Sequence, residues 1–228
     1  MLSISASDAW HASHAGGVIG LLQISGAMQA GKSATLDERK RAVESNLRQR
    51  YQGYGRQDFS ALPVLSAYAQ YYRKFGKTYH VQLQLESIVL KGKALPTVAP
   101  LVDANFVAEM ETLVLTAGHD VAKLAPPVTL DVSRQGEEMV QMNGAPKALY
   151  AGDMIMRDAS GIACSIIYGQ DNRSPISPTT SHVLYVAYAP AGVGAHAVEA
   201  QLRAIADNVR VFCPTAVVEQ QRLIAATL

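Results

Sequence analysis

The first candidate for chemistry is an eight-residue segment near the N-terminus, Gly26-Ala27-Met28-Gln29-Ala30-Gly31-Lys32-Ser33. Its glycines, lysine and hydroxyl have the spacing of a phosphate-binding loop, with Lys32 on the outer phosphates and Ser33 on magnesium. The next residues favour another interpretation, because Thr35 predicts a helix N-cap and leaves this segment as a small loop. The repeated strand–helix pattern of nucleotide hydrolases is also missing from the sequence. Nucleotide binding through Lys32 is therefore the weaker hypothesis.

Four histidines are the next candidates for chemistry. His11 and His14 lie three residues apart, but a metal site needs at least a third ligand at a suitable spacing, and the sequence offers none. We therefore expect no metal and interpret both as surface histidines. His119 and His182 are isolated, and each is either an acid–base group or a structural side chain. No pairing of a nucleophile with a histidine can be recognised from spacing.

Two short segments combine cations with residues that favour anion or base binding. Tyr68, Tyr71 and Tyr72 precede Arg73 and Lys74. The tyrosines either stack on bases while the cations hold phosphate, or pack half-buried with their hydroxyls at the surface. Further on, Lys91-Gly92-Lys93 places a glycine between two ammonium groups, which allows an anion to approach the backbone closely.

The distribution of charge is uneven although the net charge is only +1. Residues 32–93 carry twelve Lys and Arg against five Asp and Glu, whereas residues 94–228 carry eight against thirteen. A basic segment on an otherwise acidic chain can steer a polyanion to one face. The alternative is that these cations only cover solvated helix faces.

Apolar periodicity predicts the elements that must position these residues. Val43, Leu47 and Tyr51 recur at a spacing of four, which indicates an amphipathic helix. After Pro126-Pro127 the period falls to about two, which indicates strands. The predicted helices cover residues 36–51, 61–75, 81–90, 100–115 and 195–209, and the predicted strands cover 18–24, 128–132, 139–142, 154–156, 162–168 and 182–189. This order predicts an α+β fold, a mixed α/β sandwich with a helical N-terminal half packed on a strand-rich C-terminal half.

Composition narrows the class of protein further. The chain has 228 residues, of which 49% are hydrophobic, enough to bury a core in a single domain spanning residues 1–228. No apolar run reaches the roughly 20 residues of a membrane span, and the first residues do not resemble a secretory signal. Cys164 and Cys213 are far apart in sequence. We therefore expect no membrane association, no disulfide framework and a reducing, cytoplasmic location.

Taken in order, several motifs resemble the tRNA-binding and editing domain of the phenylalanyl-tRNA synthetase beta subunit (its B3 and B4 modules), in its stand-alone bacterial form. The series comprises Tyr72-Arg73-Lys74-Phe75-Gly76, Lys91-Gly92-Lys93 with Leu95-Pro96, Pro100-Leu101-Val102-Asp103 with Asn105, Asp120 with Lys123-Leu124, Gly152-Asp153, Gly161 and the segment from Asp171 to Thr180. The resemblance implies a pocket between the helices and the strands, and removal of a wrongly attached amino acid from tRNA by ester hydrolysis. It implies tRNA or aminoacyl-tRNA as the partner, with no metal or other cofactor.

The resemblance also assigns candidate site residues. Asn105, His119 and Asp171 are the catalytic candidates, and Asp103, Ser174 and Thr180 are the substrate-binding candidates. Arg73, Lys74, Lys91 and Lys93 are the candidates for contact with RNA. The sequence departs from the family at two positions: Ala117 stands where the family has its histidine, and Arg173 stands where a carboxylate is expected. The alternative is thus a non-catalytic RNA- or amino-acid-binding module that has lost editing.

Overall fold

Helices and strands alternate along the chain in a computed structural model, which describes residues 2–29 and 31–226. The helices are α1 (Asp8–Ser13), α2 (Ala34–Arg50), α3 (Arg56–Ala61), α4 (Pro63–Arg73), α5 (His80–Lys91), α6 (Pro100–Thr112) and α7 (Ala195–Phe212). The strands are β1 (Ile4–Ala6), β2 (Val18–Ser25), β3 (Thr116–Asp120), β4 (Val128–Val132), β5 (Glu138–Val140), β6 (Pro146–Ala148), β7 (Met154–Asp158), β8 (Gly161–Ser165), β9 (Gly169–Gln170), β10 (Val183–Ala189) and β11 (Val217–Ala225). A 3-10 turn covers Val121–Lys123.

The strands form two larger sheets and one hairpin. The five-stranded sheet has the order β1-β4-β7-β8-β9, the four-stranded sheet has the order β11-β2-β10-β3, and β5 pairs with β6. The pairing of β1 with β4 is parallel, and the other strand pairs are antiparallel. The α+β class predicted from the sequence is confirmed, and the four-stranded sheet unites β2 from the N-terminal part with three later strands.

The central strand β2 shows why a continuous apolar run was a good strand signal. Its residues from Val18 to Ile24 are all buried, as expected of a strand covered on both faces. Helix α7 packs directly on it, and a Cβ atom at Gly20 would lie 2.5 Å from a methyl of Val198. Glycine at position 20 is therefore required for the close approach of helix and sheet.

Helix α4 joins the two sheets through tyrosine hydroxyls. Tyr68 donates to the carbonyl of Tyr188 at 2.6 Å, and Tyr72 donates to the carbonyl of Ile166 at 2.9 Å. Tyr71 donates to the Asp153 carboxylate at 2.6 Å. All three rings are buried in the core. The interpretation of this cluster as a base-stacking surface was wrong, because the helix turns its tyrosines inward.

Several element boundaries differ from the sequence-based prediction. The helix predicted to reach residue 115 ends at Thr112, because Leu113 adopts a left-handed conformation (φ 64°) and the chain then enters β3. Helix α2 begins two residues earlier than predicted, with Ser33 in place of Thr35 as the N-cap: the Ser33 hydroxyl accepts from the backbone N–H of Leu36 at 3.2 Å. The elements that were not predicted are α1, α3, β1, β3, β6, β9 and β11, and most of them are too short to show a period.

Candidate functional site

A cavity of about 620 Å³ opens between α6, β3 and the segment from Cys164 to Gln170. Most of its wall is apolar, and polar groups enter it at a few places, notably from Glu109 and Thr116. This combination of an apolar wall with a few convergent polar groups is typical of sites for small molecules or for the end of a larger ligand. The cavity is therefore the candidate site.

Glu109 is the main polar group of the cavity. Its side chain is on α6, and the residue is only 3% exposed. Burial raises the pKa of this carboxyl to about 8, although the backbone N–H of Thr116 and the amide of Asn105 oppose the shift. The N–H of Thr116 donates to Oε1 of Glu109 at 2.8 Å. Among the described residues that line the cavity, Glu109 carries the only carboxyl group, so it can receive a cation or donate a proton there.

Tyr188 and Cys164 also line the cavity. The Tyr188 hydroxyl is buried and has no hydrogen-bond partner within the described ranges. The Cys164 thiol lies near it but is not aligned for a hydrogen bond, and burial raises the pKa of this thiol to about 12. Because a buried hydroxyl without a partner is costly, Tyr188 is suited to bonding a polar atom of a ligand.

Asn105 lines the cavity, but its amide is largely committed to the protein. Its Nδ2 donates to the carbonyl of Thr116 at 3.0 Å, and its Oδ1 accepts from Nε2 of Gln201 at 3.3 Å. Gln201 also donates to the hydroxyl of Thr116 at 3.0 Å. The amide thus fixes the distance between α6, β3 and α7. This geometry suits a residue that shapes the wall.

His119, Ser174 and Asp171 come together, as a buried hydrogen-bonded chain. The Ser174 hydroxyl donates to Oδ1 of Asp171 at 2.7 Å and lies 2.8 Å from Nδ1 of His119. Since the hydroxyl hydrogen is used on Asp171, Nδ1 of His119 is the donor to Ser174. Nε2 of Gln170 also lies 3.0 Å from Nδ1 of His119. It does not need Nδ1 as an acceptor, because its two hydrogens are donated to the carbonyls of Gly118 and Ser174.

This chain does not open into the cavity. His119 and Asp171 are fully buried and do not line its wall. Burial lowers the pKa of His119 to about 3, so the ring is neutral. Asp171 also forms an ion pair with Arg173, whose Nε lies 2.7 Å from Oδ2 of Asp171. The same guanidinium group pairs with Asp158, with 3.1 Å between Nη1 and Oδ1. Of the three catalytic candidates, the structure therefore places only Asn105 at the cavity.

The other substrate-binding candidates hold loops in place. Oδ2 of Asp103 lies 2.5 Å from Nζ of Lys40, and Oδ1 accepts from the backbone N–H of Val98 at 2.9 Å. The Thr180 hydroxyl donates to Oδ2 of Asp120 at 2.8 Å. The four side chains that form these contacts are buried: Asp103, Lys40, Thr180 and Asp120. Asp103 fixes the start of α6, and Thr180 closes the loop that contains Ser174.

The basic candidates lie in two places. Arg73 and Lys74 are exposed at the end of α4, where Lys74 lines an open cleft of about 500 Å³. Lys91 and Lys93 are exposed at the end of α5 and line neither the cavity nor this cleft. Other cations of the basic segment are paired with carboxylates of the chain itself: Arg39 with Glu111, Lys40 with Asp103, Arg48 with Glu44 and Arg56 with Glu86.

The segment from Gly26 to Ser33 does not have the setting of a nucleotide-binding loop. Ala30 lies outside the described residues. The preceding strand β2 is antiparallel to both of its neighbours, whereas phosphate-binding loops follow strands of a parallel sheet. The Ser33 hydroxyl is used as a helix cap. Within residues 2–29 and 31–226, no group of three His, Cys, Asp or Glu side chains is placed to hold a metal. The same residues contain no helix long and apolar enough to cross a membrane.

The fold and cavity define an α+β protein with a cavity between α6, β3 and the segment from Cys164 to Gln170. Residues 65–208 match the family model of the B3/4 domain, and the chain belongs to this family. The resemblance to the B3 and B4 modules seen in the motifs is thereby confirmed. No protein with a curated description matches the chain.

Comparison with solved structures finds an N-terminal fragment of the phenylalanyl-tRNA synthetase beta-subunit from Pyrococcus horikoshii. The two chains are 6% identical, with a TM-score of 0.48. The match covers 96% of this chain and 54% of the other, so this chain spans about half the length of that fragment.

Sequence reasoning missed Glu109, Tyr188 and Cys164. A signal for Glu109 was available, because Asn105 and Glu109 are four residues apart and therefore share one face of α6 with apolar neighbours. A carboxyl on a buried helix face is a strong indication of function. Tyr188 and Cys164 had no comparable signal, since each lies in an apolar strand.

Proposed function

We propose that the cavity receives the aminoacylated 3′ end of a tRNA and that the protein hydrolyses such esters in trans. Membership of the B3/4 family supports this proposal, and the observation that carries it is the buried Glu109 carboxyl facing the cavity. A volume of about 620 Å³ is of the order needed for an amino acid joined to a nucleoside. The two free cysteines suit the cytoplasm, where charged tRNA is found.

Glu109 would bind the α-ammonium group of the attached amino acid. In a cavity of low dielectric constant a cation stabilises the ionised carboxylate, and the pKa of Glu109 then falls from about 8. The rest of the reaction requires little from the protein, because an aminoacyl ester is already activated and a positioned water can attack it. Tyr188 is placed to contact a polar group of the amino acid or the ribose.

The experiment is a deacylation assay with tRNAs that carry different amino acids. Wild-type protein should accelerate ester loss on at least one of them, and Glu109→Gln should abolish most of this acceleration. The variant Glu111→Gln is the matched control, because Glu111 is on the same helix but pairs with Arg39 outside the cavity. If no ester is lost above background with any charged tRNA, the protein does not hydrolyse aminoacyl-tRNA.

A second function, binding without hydrolysis, is favoured by one observation. His119 and Asp171, which could have served as catalytic groups, are sealed in a separate buried chain. Under this hypothesis tRNA binds with a steep dependence on salt but is not discharged. Binding of an uncleavable 3′-aminoacylamino-adenosine that depends on Glu109, together with absence of turnover, would select this alternative.

A further inference from the structure

A strip of two tyrosines, of which Tyr150 is exposed and Tyr168 is half-buried, leads away from the cavity. It consists of Tyr168, Tyr150 and the two lysines beside them, Lys147 and Lys74, and is called the tyrosine strip below. Resting on the proposed function, we infer that the tyrosine strip binds the single-stranded 3′ end of the RNA whose terminal nucleoside enters the cavity. The ligand class is thus an unpaired RNA strand of a few nucleotides.

Contacts between the rings make the strip continuous with the cavity. Tyr168 lines the cavity, and the centroid of its ring lies 6.1 Å from that of Tyr150, with the ring planes inclined by 42°. Tyr150 is 53% exposed and also lines the open cleft that contains Lys74 and Phe75. An RNA strand leaving the cavity would therefore pass Tyr168, then Tyr150, and reach the cleft.

Cations accompany both rings. Nζ of Lys147 lies 4.7 Å from the centroid of the Tyr168 ring, and Lys74 lies in the cleft beside Tyr150. Nearby, Arg73 is exposed at the end of α4. Aromatic faces that stack on bases, with ammonium groups that contact the phosphates, form the usual surface for unpaired nucleic acid. A duplex would not fit this chemistry, since its bases are already stacked and its grooves are read by other means.

The backbone of the strip is rigid, which lowers the cost of ordering it on binding. The carbonyl of Tyr150 accepts from the Ser133 hydroxyl at 2.6 Å, and the carbonyl of Tyr168 accepts from Nε2 of Gln141 at 3.0 Å. Because the rings are displayed from a fixed backbone, the Tyr150 side chain can be removed without disturbing the core. It is a suitable position for a test.

The test measures two ligands on the full-length protein. The first is a short single-stranded RNA ending in CCA, and the second is 3′-aminoacylamino-adenosine, which fills the cavity alone. Tyr150→Ala should weaken binding of the RNA roughly 5- to 150-fold, the range expected for the loss of one stacked base. It should leave binding of the adenosine compound unchanged. Tyr150→Phe keeps the ring and should behave like wild type, as should Tyr54→Ala at an exposed tyrosine elsewhere.

The lysines provide an independent measurement. Lys147→Gln should reduce the slope of log affinity against log salt by about 0.7, the value for one phosphate contact on a single strand. Arg203→Gln is the control and should not change the slope, because Arg203 is exposed on α7 and lines neither the cavity nor the cleft. If Tyr150→Ala binds the RNA as tightly as wild type while the adenosine compound still binds, RNA binding by the tyrosine strip is disproved and the proposed function stands. If the RNA binds through Tyr150 but the adenosine compound does not bind, the proposed function fails and the strip stands.

Discussion

The hydroxyl of Ser174 lies 2.8 Å from Nδ1 of His119, and this contact ties strand β3 to the loop that follows β9. Asp171 completes the arrangement by accepting from the same hydroxyl at 2.7 Å. A serine between a histidine and an aspartate suggests a catalytic relay. The chain is nevertheless buried away from the cavity wall, so its geometry supports a role in stability.

The neutral state of His119 predicts that the free energy of unfolding decreases in acid. The pKa of His119 is about 3 in the folded protein and about 6.5 in the unfolded chain, so between these values the unfolded chain binds more protons. Stability must therefore fall as the pH is lowered through this window. Relative to pH 7, the histidine should cost wild-type protein about 2 kcal/mol at pH 5.

The measurement compares urea unfolding of wild-type protein and His119→Gln at pH 7 and pH 5. The difference in unfolding free energy between the two proteins should shrink at pH 5, because only in wild-type protein does the unfolded chain gain a proton on residue 119 that the folded protein does not bind. A difference that does not change with pH would show that His119 is not held neutral.

The buried ion pair between Lys40 and Asp103 predicts a large effect of removing one partner. Nζ of Lys40 also donates to the carbonyl of Pro96 and the hydroxyl of Thr97, so the pair joins α2 to the segment before α6. Lys40→Met leaves Asp103 charged and buried, and should cost about 3–5 kcal/mol of unfolding free energy. The double variant Lys40→Met, Asp103→Leu should recover much of this loss.

The matched control is the ion pair between Arg39, the residue before Lys40, and Glu111. The side chains of Arg39 and Glu111 are 43% and 30% exposed, so Arg39→Met should cost less than about 1 kcal/mol. Equal losses for Lys40→Met and Arg39→Met in chemical denaturation would contradict the role given to burial.

Long periodic elements could be predicted from the sequence, and short or irregular ones could not. Helix α2 and strand β10 are long enough for their apolar patterns to be recognised. Helix α6 was predicted three residues too long, because Thr112 and Leu113 carry no helix-stop signal and the left-handed turn at Leu113 lacks glycine, and the five-residue strand β3 that follows was not predicted. Strand β11 has alternating partial burial, but its mixture of valine, glutamine and arginine resembles a polar tail.

The candidate site was harder to predict than the fold, because which side chains meet is decided by tertiary packing. His119, Ser174 and Asp171 were selected as site residues from the sequence, and the structure joins them by hydrogen bonds, but none of the three lines the cavity. Asp103 was selected for substrate binding as a short polar residue among apolar ones, and in the structure its carboxylate bonds Lys40 and the backbone of Val98. Its partner Lys40, 63 positions away in sequence, could not be inferred without the fold.

The tyrosine cluster of α4 predicts a further loss of stability. The Tyr71 hydroxyl donates to Asp153 at 2.6 Å and accepts from the backbone N–H of Met154 at 2.7 Å. Tyr71→Phe removes both bonds and leaves buried partners, which should cost about 1–3 kcal/mol. Thermal and chemical denaturation of this variant measure the cost. Tyr54→Phe, at a more exposed tyrosine, is the control and should be close to neutral, so a similar loss in both variants would argue against the buried network.

The raised pKa of Glu109 predicts a change of the opposite sign to that of His119. Between about 4.5 and 8 the folded protein holds a proton on Glu109 that the unfolded chain has lost. Stability contributed by this carboxyl must therefore fall as the pH rises through this window. From pH 6.5 to pH 8 the loss should be about 2 kcal/mol in wild-type protein and absent in Glu109→Gln. His119 is half protonated in the unfolded chain at pH 6.5 and has a small effect of opposite sign, which is the same in both proteins and cancels in their difference.

The proton on Glu109 also provides a test of ligand binding in the cavity. If an ammonium group binds beside Glu109, the carboxyl ionises and close to one proton is released per ligand bound at pH 7. Calorimetry of 3′-aminoacylamino-adenosine in two buffers of different ionisation enthalpy measures this number directly. Glu109→Gln should release no proton, and an N-acetylated form of the compound, which lacks the ammonium group, should release none from wild-type protein. Equal proton release by the amine and its acetylated form would place the ammonium group away from Glu109.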